Sequence, residues 1–249
     1  MCLVFMTPLP RNSFVNLPIF KMILAPLRLA IAPRLLMAVF QRGIIFSGRK
    51  RPDLRQGISM KILHSKAEVT AATIAWQGAG ETVCLVPTMG NIHQGHLALI
   101  AAARKTASRV IVSIYVNPTQ FGAGEDFDHY PRTLDADCAA IIASGGCDAI
   151  YAPANMYDDG HATSIVPAGV ALAMEGQTRP HFFTGVATVV LKLFTHIPAN
   201  FAIFGEKDYQ QLAVIRQMVR DLDLNITILA QPTIRETDGL ALSSRNHYL

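Results

Sequence analysis

Two histidines three residues apart, His93 and His96, close the run LVPTMGNIHQGHL from Leu85 to Leu97, where an apolar stretch breaks at a glycine-containing turn. Imidazole donors beside the free backbone N–H groups of a starting helix make a favourable place for a polyphosphate. The spacing puts one histidine on the turn and the other in the first helical turn, facing the same spot. Gly95 between them keeps a side chain from holding a nucleotide away from the backbone. Three later stretches add polar chemistry. Asn117 and Gln120, in Asn117-Pro118-Thr119-Gln120-Phe121, can offer a donor and an acceptor to a substrate hydroxyl or carboxylate. Lys207, in Gly205-Glu206-Lys207-Asp208, can pair with phosphate oxygens, and Asp208 can accept from a ribose or cap a helix. Ser243, Ser244 and Arg245 supply two hydroxyls and a guanidinium after Leu242. Taken singly, each stretch has a bland alternative: amides satisfying loop backbone, a solvated helix cap, an ordinary polar loop.

The elements that must position these groups follow from the hydrophobic pattern. Thr82 to Val86 is short, β-branched and apolar, as a buried strand requires, while Pro87 and Gly90 oppose continuing it as regular sheet. A helix should begin near Gln94 or Gly95. From Thr82 onward strand and helix alternate, which predicts an α/β fold with a parallel sheet wrapped by helices. Strands are expected near 82–87, 110–116, 148–152, 200–204 and 226–230, and helices near 95–106, 132–145, 186–196 and 208–221. Met60 onward reads as an opening strand and helix. Ligands of open parallel sheets bind beyond the carboxyl ends of the strands, where chain order reverses. The turn after Val86, the loop after Val116 and the loop after Phe204 all emerge at that edge.

The 249 residues suffice for one α/β domain, or one with a smaller appendage. Hydrophobic residues make up 51% and the mean hydropathy is +0.29, but the apolar and basic excess is uneven. Residues 1–60 carry nine Lys/Arg and one acid, Asp53, which leaves 13 basic and 17 acidic residues for the remainder. The pI near 9.0 thus describes the leader, and global charge gives no ground for a nucleic-acid partner. Cys2, Cys84, Cys138 and Cys147 lie far apart with no C-x-x-C, so neither a disulfide framework nor a zinc site is suggested, and a reducing compartment is the expectation. The apolar runs of residues 1–59 are interrupted by Pro8, Pro10, Pro18, Pro26 and Pro33, and none reaches the ~18 residues a spanning helix needs. An organelle-targeting leader, a membrane-surface segment and sequence upstream of a start at Met60 all remain open for them.

The strand-turn-helix with H-x-G-H resembles the HIGH signature of class I nucleotidyltransferases and tRNA synthetases. Over residues 60–249 the chain further resembles the pantoate–β-alanine ligase family. The runs that carry the resemblance are VPTMGNIHQGH, VSIYVNPTQF with DFDHYPRTLDAD, AMEGQTRP, FGEKDYQQLAVIRQMV and DGLALSSRNHYL, in that order. It implies a Rossmann-like nucleotidyltransferase domain followed by a smaller C-terminal domain, a homodimer and a cytoplasmic location. It also implies a two-step reaction: ATP, with Mg²⁺ assisting, adenylates (R)-pantoate, and the amine of β-alanine then displaces AMP. Residue by residue, it implies ATP binding by Met89, Gly90, Asn91, Ile92, His93, Gln94, Gly95 and His96, with His96 as proton donor. Gly205, Glu206, Lys207, Asp208, Leu242, Ser243, Ser244 and Arg245 match further ATP-binding runs, and Ile234 falls at a backbone contact to the nucleotide. His93, His96, Lys207 and Arg245 are the expected catalytic set. Gln120 and Gln211 match pantoate-binding glutamines, with Asn117 beside them. No protein-bound metal is expected; magnesium should arrive with ATP.

Departures accompany the resemblance. After Arg179-Pro180 the family's Gly-His-Phe-Arg-Gly is replaced by His181-Phe182-Phe183-Thr184-Gly185, and the segment Asn155–Pro167 is shorter. The sequence stops at Leu249, so the family's C-terminal domain is expected to be missing; without such a lid the adenylate would meet water. Two rival readings remain: a cytidylyltransferase-like enzyme using the same histidine turn on a phosphorylated alcohol, and a non-catalytic fragment attached to membranes by its leader.

Overall fold

Strands that are apolar on both faces must be covered on both faces, and this chain folds accordingly. The computed structural model describes residues 60–246; the leader expected over residues 1–59 lies outside the described residues. In chain order the elements are β1 (Lys61–Leu63), α1 (Lys66–Gly78), β2 (Val83–Thr88), α2 (Gln94–Thr106), β3 (Arg109–Ile114), α3 (Leu134–Ser144), β4 (Ala149–Tyr151), α4 (Glu175–Thr178), α5 (Phe182–His196), β5 (Phe201–Gly205), α6 (Tyr209–Asp221) and β6 (Thr227–Gln231). All pairings are parallel, in the order β1-β4-β3-β2-β5-β6. Val83 and Leu85 of β2 pack to one side with Val69 of α1, Val186 of α5 and Leu212 of α6. Cys84 and Val86 face the other side with Ile100 of α2 and Ile141 of α3. This is the α/β architecture expected.

The chain steps outward from β2 to β3 and β4, then returns to build β5 and β6 on the opposite side of β2. Chain order therefore reverses between β2 and β5, which pair through Cys84↔Phe201 and Leu85↔Ala202. The carboxyl ends of these two strands frame the crevice in which such sheets bind ligands.

Three expectations about elements need correction. Strand β2 runs through Pro87, which pairs in register with Ser113. Thr88 faces β3, since its carbonyl accepts from Tyr115 N at 3.1 Å; Pro87's nitrogen thus faces β5, where pairing has already ended at Leu85 and no donor is needed. Helix α5 begins at Phe182 rather than near 186, running through Gly185. The segment between β4 and α5, for which no element was expected, holds a 3-10 turn at Gly169–Leu172 and the single-turn α4.

One buried histidine away from the crevice makes stability depend on pH. His196, at the end of α5, is 9% exposed, and its Nδ1 lies 2.8 Å from the Tyr151 hydroxyl. Burial first, then the charges of Lys66 and Lys192, push its pKa down from 6.5 to about 4. The folded state refuses a proton that the unfolded chain accepts, so stability is intact above pH 6.5 and declines between 6.5 and 4 at about 1.4 kcal/mol per pH unit. His196→Gln, which cannot titrate, should show a drop in urea-unfolding free energy between pH 7.5 and pH 5 smaller by about 2 kcal/mol than the unsubstituted chain. Equal drops in the two proteins would refute this.

Candidate active site

The turn after β2 is shaped from outside by a carboxylate. Asp137, in the first turn of α3 and 3% exposed, accepts from Asn91 N at 3.0 Å and Ile92 N at 2.7 Å, and from the Thr133 hydroxyl at 3.1 Å. Gly90 has φ +84°, and a Cβ there would lie 2.8 Å from Asp137 Oδ2, so both backbone conformation and space require glycine. Asp137 was not legible as a site residue because its partners lie some 45 positions earlier in the chain.

The chain then enters α2 through a cap built of imidazoles. His93 is the N-cap residue, and its Nδ1 accepts from Gly95 N at 3.1 Å; His96 Nδ1 accepts from His93 N at 3.4 Å. With Nδ1 accepting in both rings, the proton of each neutral imidazole sits on Nε2. The rings lie 4.1 Å apart between centroids. A Cβ on Gly95 would meet the His93 ring at 2.8 Å, so this glycine makes room for the imidazole itself rather than for a nucleotide's approach to backbone. Burial and the Lys207 charge lower the pKa of His93. Burial, His93 and Lys207 push that of His96 down to about 3. Both rings are neutral at physiological pH. In this state each ring presents an Nε2–H as its remaining donor.

Lys207 reaches the same crevice from the 3-10 turn Glu206–Asp208 after β5. Asp208 does not cap α6 with its side chain; it pairs with Lys207 at 3.1 Å. The serine-arginine turn is docked alongside. Asn91 Nδ2 donates to Ser244 O at 3.2 Å and Ser244 Oγ to Asn91 O at 3.3 Å, so the two turns clasp each other. Ile234 holds Leu242 through its carbonyl, at 3.0 Å from Leu242 N. Arg245 donates to both carboxylate oxygens of Asp126, at 3.0 and 2.9 Å, with its guanidinium 5.8 Å from the centre of the Tyr130 ring. That pairing holds the Asp126 carboxyl below the usual range, and any phosphate seeking Arg245 competes with Asp126.

These groups open into one cavity of about 290 Å³. Met89, His93, Gly95, His96, Gly205, Lys207, Asp208, Ile234, Leu242, Ser243, Ser244 and Arg245 line it, as do Asn117, Gln120 and Gln211. Gly90, Asn91, Ile92, Gln94 and Glu206 do not. Gly90 and Asn91 carry the turn, Ile92 packs on the core, and Gln94 and Glu206 are exposed. The two expected amide positions differ from each other. Asn117 is fully buried and uses all four of its hydrogen-bonding sites within the protein. That disagrees with a direct substrate contact. Gln211 makes no amide hydrogen bond to protein among the described residues.

Arg179, which was not anticipated as part of the site, also lines the cavity. Its guanidinium lies 4.2 Å from the Phe182 ring centre, pairs with Glu125 and Glu175, and donates to Gln120 O at 3.1 Å. Two carboxylates neutralise it, so it braces Gln120 rather than offering free charge. The altered segment after Pro180 explains itself: His181 faces Glu125 at 3.9 Å, and Phe182 forms part of the cavity wall.

Comparisons with known proteins converge. The pantoate-beta-alanine ligase family model matches residues 61–249. A pantothenate synthetase of Nocardia farcinica is 52% identical over 192 residues, covering 76% of this chain and 60% of the relative. The chain thus spans less than two thirds of that relative's length. A crystal structure of pantothenate synthetase from Thermus thermophilus is similar at a TM-score of 0.72 and 48% identity, over 76% of this chain and 68% of that one. A Francisella tularensis pantoate-beta-alanine ligase complexed with beta-gamma ATP and beta-alanine is similar at a TM-score of 0.72 and 40% identity, over 77% of this chain and 74% of that one.

Proposed function

The chain belongs to the pantoate–β-alanine ligase family, and from that premise we propose that it joins (R)-pantoate to β-alanine at the expense of ATP. A carboxylate is a poor acyl donor because its oxygen leaves badly. In the first step a pantoate carboxylate oxygen attacks the α-phosphorus, the bond to the bridging oxygen breaks, and diphosphate departs. In the second the β-alanine nitrogen attacks the acyl carbon, loses a proton, and AMP leaves with the former carboxylate oxygen. The protein's task is to hold two anions together and stabilise the charge that moves onto diphosphate.

The observation that carries this reading is the convergence on one cavity of two neutral Nε2–H imidazoles, the Lys207 ammonium and uncharged glutamine amides. His93 and His96 donate hydrogen bonds to phosphate oxygens, and Lys207 neutralises charge. Gln120 and Gln211 receive pantoate without competing with the cations for phosphate. Arg245 joins when phosphate displaces Asp126. Ser243 binds phosphate, Ser244 joins when its hydroxyl leaves Asn91 O, and neither attacks anything. In this proposal magnesium comes in on the nucleotide. The same reading takes the protein as a cytoplasmic homodimer; no helix among the described residues is long and apolar enough to cross a membrane.

The test is exchange of labelled diphosphate into ATP. Exchange should require pantoate and proceed without β-alanine, and adding β-alanine should release AMP. Exchange supported by CTP and a phosphorylated alcohol, or none with pantoate at all, would overturn the assignment.

A further inference from the structure

Gln120 is the end of a hydrogen-bonded chain whose direction is set on the far side of the site, by a tyrosine that lies outside the cavity lining. Tyr157, in the segment after β4, places its hydroxyl 2.8 Å from Asn117 Oδ1. The Thr119 hydroxyl lies 3.0 Å from the same oxygen and 3.1 Å from the tyrosine oxygen. With both lone pairs of Oδ1 taken by hydroxyl donors, Asn117 turns Nδ2 toward two acceptors, Gly185 O and Gln120 Oε1, each at 3.2 Å. Gln120 is then left with Nε2 outward. One of its hydrogens goes to Met89 Sδ at 3.0 Å, and the second remains for a cavity ligand.

We propose that Tyr157 is a positioning residue: through Asn117 it orients the Gln120 amide so that a donor, not an acceptor, meets the oxygen-rich acid end of the substrate. The inference rests on the pantoate reading given above. The phenol is well held for the task. Its backbone N donates to Asn155 Oδ1 at 3.0 Å, its ring packs on His161 with centroids 4.9 Å apart, and Lys192 Nζ lies 5.5 Å from the ring centre on α5. Burial raises its pKa, which keeps the hydrogen in place at neutral pH. Without that hydroxyl, Asn117 Oδ1 keeps only Thr119, and the amide pair loses one of the contacts that forbid its inversion.

Diphosphate exchange measured over separate pantoate and ATP titrations tests the proposal. Tyr157→Phe should raise the KM for pantoate about tenfold and leave the KM for ATP within twofold. His161→Ala, which removes one ring neighbour but leaves the hydroxyl its partners Asn117 and Thr119, should change both by less than twofold. Equal effects from the two variants, or a Tyr157→Phe effect on ATP as large as on pantoate, would reduce Tyr157 to a packing residue. A second readout is independent of substrate: the side-chain amide NMR signals of Asn117 and Gln120 should both shift in Tyr157→Phe and stay in His161→Ala. Absence of pantoate-dependent exchange in the unsubstituted chain would remove the functional reading, and the amide signals would then decide the chain of orientation alone. Unmoved Gln120 signals overturn it. Should Tyr157→Phe fail to fold, Asn117→Asp interrupts the same chain at its middle, and an unchanged KM for pantoate in that variant overturns the proposal equally.

Discussion

His96→Ala loses pantoate-dependent exchange of diphosphate into ATP by about a hundredfold to a thousandfold, the range that removal of one preorganised donor from a charge-stabilising site produces. The size follows from geometry. His96 Nδ1 is occupied by His93 N, so the ring is locked with Nε2–H outward, and no rotation is needed when charge develops. Its pKa, pushed down to about 3, makes the ring a neutral donor throughout the neutral range. The free enzyme's rate profile should therefore show no step near pH 6.5 from this residue; a histidine that had to be protonated would produce one. The loss of the imidazole acceptor for the His93 backbone N–H costs about 1 kcal/mol of stability, too little to unfold the domain. Circular dichroism and an unchanged binding of pantoate to the variant separate the chemical defect from a structural one. Full exchange in His96→Ala would remove the role assigned to it.

Gly185→Ala destabilises the protein by roughly 2–4 kcal/mol and lowers pantoate-dependent exchange at least about tenfold, although alanine is the better helix former. Helix propensity alone would favour alanine in α5 by up to ~1 kcal/mol. The new Cβ, however, would lie 2.3 Å from Thr119 O, 2.5 Å from Thr119 C and 2.7 Å from Gln120 N. These are backbone atoms and cannot rotate aside, so α5 must withdraw from the turn Pro118–Gln120. Withdrawal stretches the bond from Asn117 Nδ2 to Gly185 O and carries Gln120 with it. Gly78→Ala, at the end of α1 with nothing within 4 Å of its Cβ, serves as the control and should be neutral or stabilising. Urea unfolding decides the case: a Gly185→Ala midpoint equal to that of the control would show that the close approach costs nothing.

Both predictions concern distances that no run of sequence displays. What the residues alone made legible was local. The apolar stretches near 82–87 and 110–116 specify buried strands, and H-x-G-H after a strand specifies a pair of imidazole donors at a helix start. Glycine at 90 specifies a turn. The order of strands and helices was enough for a parallel sheet, and with it the edge where the cavity lies.

Tertiary structure decided how those groups are used, because their protonation and direction depend on neighbours far along the chain. Asp137 shapes a turn 45 positions before it. Arg245 reads as a free cation in the sequence, yet Asp126 engages it, and Glu125 with Glu175 neutralise Arg179, which also lines the cavity. Asn117 reads as a substrate amide until Tyr157, Thr119, Gly185 and Gln120 are seen to consume its hydrogen bonds. His96 is an ordinary imidazole in the sequence; folding fixes its hydrogen on Nε2 through His93 N and lowers its pKa by burial and by the charges of His93 and Lys207. Residue type and spacing determine which chemistry is possible and at which edge of the sheet. Charge, hydrogen-bond direction and close contact belong to pairs of atoms, and only the folded chain chooses the pairs.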